Sequence, residues 1–384
     1  MGETCALDKT LYTFSHASYL LPLTHTHPRC SPRLDNPLSS ITYIYRQPAS
    51  KRLQTFLLQS ETTSGSRPTA SPPRTIPRQH HQNDQNPSLL HLTRHANPES
   101  PSSPTVDTLT ISPGGPNLFE DYTHPAYAKL QTIGREITRQ VQPKAIIVLS
   151  AHWQASPSAI EVNTAASQPL IYDYYGFPPH YYKVEYPNTG SPALASRILT
   201  TLHEAGIEAE GVNRGLDHGV FAPFLVAFDP EKNPLKSDVP IVQVSLFDSD
   251  DGECHLALGK ALAPLREEGV LVICSGMAVH NLRDLRGSFG KPGAQAYTLS
   301  FDAALKEAVE QDGIEAREKA MVALLRRSDA RRAHPSFEHL LPMHVAAGAA
   351  GEDKGRQLWT LPEGSMSWAQ YRFGEVEAVG GGQL

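Results

Sequence analysis

Four consecutive aliphatics, Ile146 to Leu149, sit in KAIIVLSAHW without polar alternation, the pattern of a strand covered on both faces. Pro143 just upstream and the β-branched content favour a strand over a fragment of buried helix. The run predicts a strand over Ala145–Ser150 that stops at His152. Val270–Ser275, in GVLVICSGMAVH, repeats the pattern and runs out into His280. Asp107–Ser112, Ala159–Asn163 and Val239–Leu246 predict further strands. Between them the period changes to that of helices. Leu130, Ile133 and Ile137 mark one over Ala126–Gln140, and Leu194, Ile198 and Leu202 mark another behind the Ser191-Pro192 start, closed by Gly206. Leu258, Leu262 and Leu265, then Phe301, Leu305 and Val309, then Ala316–Arg326, predict three more. HPSFEHLLPMHVAAGAA predicts a last helix packed back on the sheet. Strands alternating with helices predict a single α/β domain over 106–384, with a central, mostly parallel sheet flanked by helices.

Residues 1–105 have another character. They hold 13 of the 32 prolines and 7 of the 17 histidines, and RPTASPPRTIPRQHHQNDQNP cannot bury enough apolar surface to offset its ordering entropy. We expect a disordered, low-complexity segment; a mis-assigned start explains it equally well. Its Ser- and Arg-containing, acid-poor composition resembles that of transit peptides, but no clear amphipathic helix accompanies it. The net charge of −6 divides into about +4 over 1–105 and −10 over the remainder, and an acidic body argues against a nucleic-acid surface. No apolar run approaches the roughly 18–20 residues that span a membrane. Cys5, Cys30, Cys254 and Cys274 lack ligand or redox spacing, with Cys274 in a strand and Cys254 in an expected loop. Reduced thiols in a cytoplasmic protein are the simplest reading.

Three histidines fall at strand ends or loops beside small residues: His152, His218 and His280. A single histidine at such a place ordinarily serves a structural hydrogen bond; recurrence changes the weight. Their separations of 66 and 62 residues exclude a zinc finger or HExxH arrangement, so only the fold can bring them together. There is no GxSxG elbow, P-loop or GxGxxG after a strand, and Cys254 carries no nucleophile signature. The aromatic, proline-rich stretch Ile171–Gly190 predicts a long ordered loop of the kind that lines a site.

LSAHWQ, YDYYGFPPHYYKVEYP, GLDHGVFAPF, VQVSL, CSGMAVHNLRD and AHPSFEHLLPMHVAAGAA, in this order, resemble the LigB-type class III extradiol ring-cleavage dioxygenases, in the branch that includes DOPA 4,5-dioxygenase. The resemblance runs from about Ile111 to about Glu375. It implies a metal cleft at the strand carboxyl ends, a mononuclear Fe(II) site sometimes loaded with Zn(II), and a small catechol and O₂ as substrates. By motif, His152 and His280 match metal ligands and His218 in LDHG matches an acid/base. An unperturbed imidazole pKa of about 6.5 suits it to exchange a catechol proton near neutrality.

One departure stands out. The family's first ligand is a histidine in a Ser-His-Gly turn, which here reads Ser112-Pro113-Gly114, and proline has no side-chain donor. Three outcomes stay open: Glu120, Asp121 or His124 substitutes, water fills the position, or the chain is a catalytically silent relative. His124, in DYTHPAY, is also a candidate substrate-pocket residue. A zinc hydrolase on the same histidines would need a carboxylate base, and the sequence singles out none. His334, His339 and His344, at i, i+5 and i+10, spread around a helix and are assigned capping or packing roles.

Overall fold

The aliphatic run after Lys144 divides its side chains between two cores. Ile147 and Leu149 pack with Val242, Val244 and Val272 on one side. Ile146 and Val148 pack with Ile241, Leu271 and Ile273 on the other. That alternation is why these strands carry no polar face. This computed structural model describes residues 106–288 and 291–376. The disordered segment expected over 1–105 lies outside the described residues.

The main sheet has eight strands: β1 (Thr108–Ile111), β2 (Ala145–Gln154), β3 (Ala159–Asn163), β4 (Glu208–Val212), β5 (Ile241–Leu246), β6 (Val270–Ser275), β7 (Gly355–Trp359) and β8 (Gln370–Phe373). Their order is β7-β8-β1-β6-β2-β5-β3-β4. The central four, β1, β6, β2 and β5, pair in parallel. Antiparallel joins attach β8 to β1 and β3 to β5. Helices cover both faces. The first core takes Ile198 from α2 (Pro192–Glu204), Leu258 from α4 (Gly252–Leu262), Phe301 from α5 (Ala296–Val309), Met321 from α6 (Ile314–Leu324) and Val345 from α7 (Leu341–Ala349). The second takes Leu130 from α1 (Pro125–Glu136), with Phe221 and Phe224 from α3 (His218–Ala227). Among the described residues no helix is long and apolar enough to cross a membrane.

Several boundaries differ from expectation, among them the strand expected to stop at His152, which runs on to Gln154. The α1 helix ends at Glu136 in a π turn over Ile137–Val141, closed by Gln142 with φ of 46°. Cys254 lies in the first turn of α4 rather than in a loop, because Asp251 accepts from the amides of Glu253 and Cys254 and starts the helix early. Both Cys254 and Cys274 are free thiols. The last helix begins only at Leu341, leaving 334–340 irregular. Pro342 explains this: a helix continuing upstream would drive its ring into the carbonyl of residue 338, so it is tolerated only in the first turn. His334 and His339 therefore do not share a helix with His344.

His334 Nε2 lies 2.9 Å from the Ala278 carbonyl and His344 Nε2 3.0 Å from that of Met321, and both rings are fully buried. Burial, first, and neighbouring basic groups push both down to about 4. An unfolded chain takes up these protons near pH 6.5 and the folded one only near 4, so stability falls as pH drops through that window. Full protonation costs about 3 kcal/mol per residue. Urea midpoints should fall between pH 7 and pH 4.5, and His344→Gln, which keeps a donor for Met321, should flatten the slope. An unchanged slope would reject this cause.

Candidate metal centre

The β2 strand continues past Ser150 to Gln154, with its register against β5 shifting after Leu149. A buried network fixes that extension. Ser150 Oγ accepts from the amide of His152 at 3.1 Å and donates to Asp217 Oδ1 at 2.7 Å. Asp217, fully buried, also accepts from Gln243 Nε2 at 2.6 Å and Arg214 Nη1 at 3.0 Å. The Arg214 guanidinium lies 4.3 Å over the Trp153 ring. Gly219 closes the assembly: a Cβ there would come within 2.3 Å of Ser150 Oγ and 2.9 Å of His152 Cδ2. The LDHG stretch thus supplies an anchoring carboxylate, an imidazole at the start of α3, and clearance for His152.

The aromatic loop contributes Asp173. Its Oδ1 stands 2.7 Å from His218 Nδ1 and accepts from the His218 amide at 3.0 Å. Its Oδ2 stands 3.1 Å from His152 Nδ1, and the two rings lie 4.0 Å apart. One carboxylate therefore orients both imidazoles, leaving Nε2 of each free to act as an acceptor. Burial raises the Asp173 carboxyl, but the bonds from His152 and His218 outweigh it and hold the group well below the usual range. Burial lowers His152 too, yet its bond to Asp173 leaves it raised. His218 is lowered, by burial and then by the neighbouring His152, so it rests as a neutral imidazole.

A second group adjoins the first. The Met277 amide donates to the His339 carbonyl at 2.8 Å, and Asn281 Nδ2 donates to the Arg332 carbonyl at 2.8 Å. With the His334 bond to Ala278, these tie the 332–339 stretch to the chain leaving β6. The His280 and His339 rings stack with centroids 3.6 Å apart, and His339 meets His152 edge-on at 5.1 Å. Among the described residues no ring nitrogen of either residue hydrogen-bonds a protein group, and His339 Nδ1 is buried without a partner. Burial, then the charges of nearby histidines, pushes His280 down to about 3 and His339 well below its ordinary value. Neutral imidazoles with unpaired nitrogens at a strand-end cleft suit a divalent transition metal. The ligand atoms of His280, Glu338 and His339 lie within 4.8 Å of one another, as do those of His152, Asp173 and His218.

The structure thus places His152 and His218 in one group with Asp173, and His280 in an adjoining group with Glu338 and His339. Starting α7 at Leu341 takes His339 off the helix it was expected to share with His344 and leaves its ring stacked on His280. Pro342, visible in the sequence, was the available signal. His124 belongs to neither group. It caps α1 by accepting from the Ala126 amide, its Nε2 lies 3.3 Å from Glu363, and it packs 4.4 Å from the Trp368 ring. Glu120 pairs with His180, and Asp121 accepts from Thr123. None of the three candidates to replace the missing ligand therefore joins either group. Pro113 is buried one residue beyond Ser112, which Gln370 and Ala369 hold at the end of β1. Ile111 pairs with Ser275, so Pro113 borders the same carboxyl edge as His280.

Residues 106–374 match the family described as the catalytic LigB subunit of aromatic ring-opening dioxygenase. The 4,5-DOPA dioxygenase extradiol of Beta vulgaris is 36% identical over 275 residues, covering 70% of this chain and 96% of that one. Its namesake in Escherichia coli K12 is 31% identical over 281 residues, covering 71% and 96%. Among solved structures, the uncharacterized protein JW3007 of Escherichia coli K12 superposes with a TM-score of 0.56 at 26% identity, covering 70% of this chain and 100% of that one. The chain belongs to the LigB family of aromatic ring-opening dioxygenases, and is an extradiol ring-cleaving oxidoreductase that acts on an aromatic substrate with O₂.

Proposed function

We propose that this dioxygenase opens the ring of a small catechol at an Fe(II) held by His152, His280 and His339, with His218 as acid/base. The observation that carries this reading is the His339 ring, with Nδ1 buried and unpartnered among the described residues, stacked on His280 and edge-on to the oriented ring of His152. Zn(II) suits the same donors but lacks the redox chemistry that O₂ requires. Bound Fe(II) would supply a redox-active Lewis acid with open positions for both substrates.

The chain's own residues do the rest. Asp173 accepts the Nδ1–H hydrogen bond of His218, which leaves Nε2 as the group that removes a catechol proton and returns it after the ring opens beside the diol. Tyr174 packs edge-on 5.3 Å from His218 and spends its hydroxyl on the Tyr181 carbonyl at 2.6 Å. Tyr172 likewise donates to the Val184 carbonyl at 2.6 Å. With their polar ends occupied, these rings offer apolar surface suited to a flat aromatic. DOPA, named in the relatives, heads the list of catechols to try. The free thiols of Cys254 and Cys274 favour the reducing cytoplasm.

The test is turnover in air after anaerobic Fe(II) loading, followed by the absorbance of the ring-opened semialdehyde across a small catechol panel. The natural protein should turn over. Activity in Pro113→His alone would instead make this chain a silent relative whose scaffold is intact.

A further inference from the structure

We propose that the Glu338 carboxylate is a further donor to this metal, standing beside His280 and His339 and supplying the ligand that Pro113 cannot. The inference rests on the three-histidine reading above and adds to it. A carboxylate oxygen of Glu338 and the ligand nitrogens of His280 and His339 lie within 4.8 Å of one another. Donors at about 2.0–2.2 Å from a common ion stand roughly 3–3.5 Å apart, so a contraction of at most about 1–2 Å on binding closes the set. The position is held from two sides. Ser336 Oγ donates to Glu338 Oε1 at 3.0 Å, and the next residue's carbonyl is fixed by the Met277 amide. Glu338 Oε2 has no protein partner among the described residues.

The alternatives are committed elsewhere. Both oxygens of Asp173 already serve His218 and His152, and Glu120, Asp121 and His124 point into other interactions. Charge argues the same way. Three neutral imidazoles leave a divalent ion with its whole charge in a partly buried cleft, and one carboxylate halves it. Histidines with a single carboxylate and open positions form a donor set suited to non-haem Fe(II).

The experiment is an anaerobic Co(II) titration of the full chain, read by the visible absorption bands of the bound ion. Glu338→Gln keeps the side-chain volume and the Ser336 bond, and unchanged apo melting establishes its fold. It should bind Co(II) about tenfold or more weakly, with shifted bands. X-ray absorption of the Zn(II)-loaded natural protein, which needs no variant, should show a carboxylate oxygen in the coordination shell. Natural affinity and bands in Glu338→Gln, or a shell without that oxygen, overturn the inference. His339→Gln, titrated alongside, separates the two levels. If it too binds normally, the three-histidine reading has failed; if it alone weakens, only the role of Glu338 has.

Discussion

Replacing His339 with glutamine should lower metal affinity by more than about 100-fold and abolish ring opening, because loss of even an outer-shell partner commonly costs 10–100-fold. The ring is buried, stacked 3.6 Å on His280 and edge-on to His152, and among the described residues its Nδ1 has no protein partner. His334 and His344 each spend Nε2 on a backbone carbonyl, whereas among the described residues His339 hydrogen-bonds through neither ring nitrogen, and a buried ring in a structural role is ordinarily paired at least once. Glutamine preserves most of the volume while offering only a weak amide donor. Metal content per chain after dialysis, with thermal melting to establish the fold, decides the matter. Retention of one metal per chain would return His339 to a packing role.

The second large effect belongs to His218. His218→Ala should retain its metal but slow turnover by about 10²–10⁴-fold, the scale of a lost acid/base. The distinction from His339 is one of hydrogen bonding. His218 spends Nδ1 on Asp173 at 2.7 Å and its backbone amide on the same carboxylate, an arrangement that aims a neutral ring. His218 also lies among the possible donors with His152 and Asp173. Loss of metal from His218→Ala would therefore reassign it as a ligand, and full turnover with metal retained would remove it from the chemistry. Single-turnover measurements under saturating catechol separate a slowed chemical step from weakened binding.

The primary structure alone carried the strands, the helices and the family, because each depends on local pattern. Ile146–Leu149 and Val270–Ser275 announce strands buried on both faces by lacking polar alternation, and Ser191-Pro192 and Gly206 bracket α2 with caps that work within a few residues. The same locality made His152, His218 and His280 legible, since each closes a recognisable segment. Asp173 was not legible as a clamp. Nothing in an aromatic loop signals a carboxylate that reaches His218, 45 residues on, and His152 together. The place of His339 was not legible, because its spacing from His334 and His344 was taken around a helix that Pro342 does not allow to extend so far. Pattern along a chain decides what each segment buries. Which donors meet across strand ends, and which are left unpaired to take a metal, depends on contacts such as Met277 to His339, which exist only once the sheet has assembled.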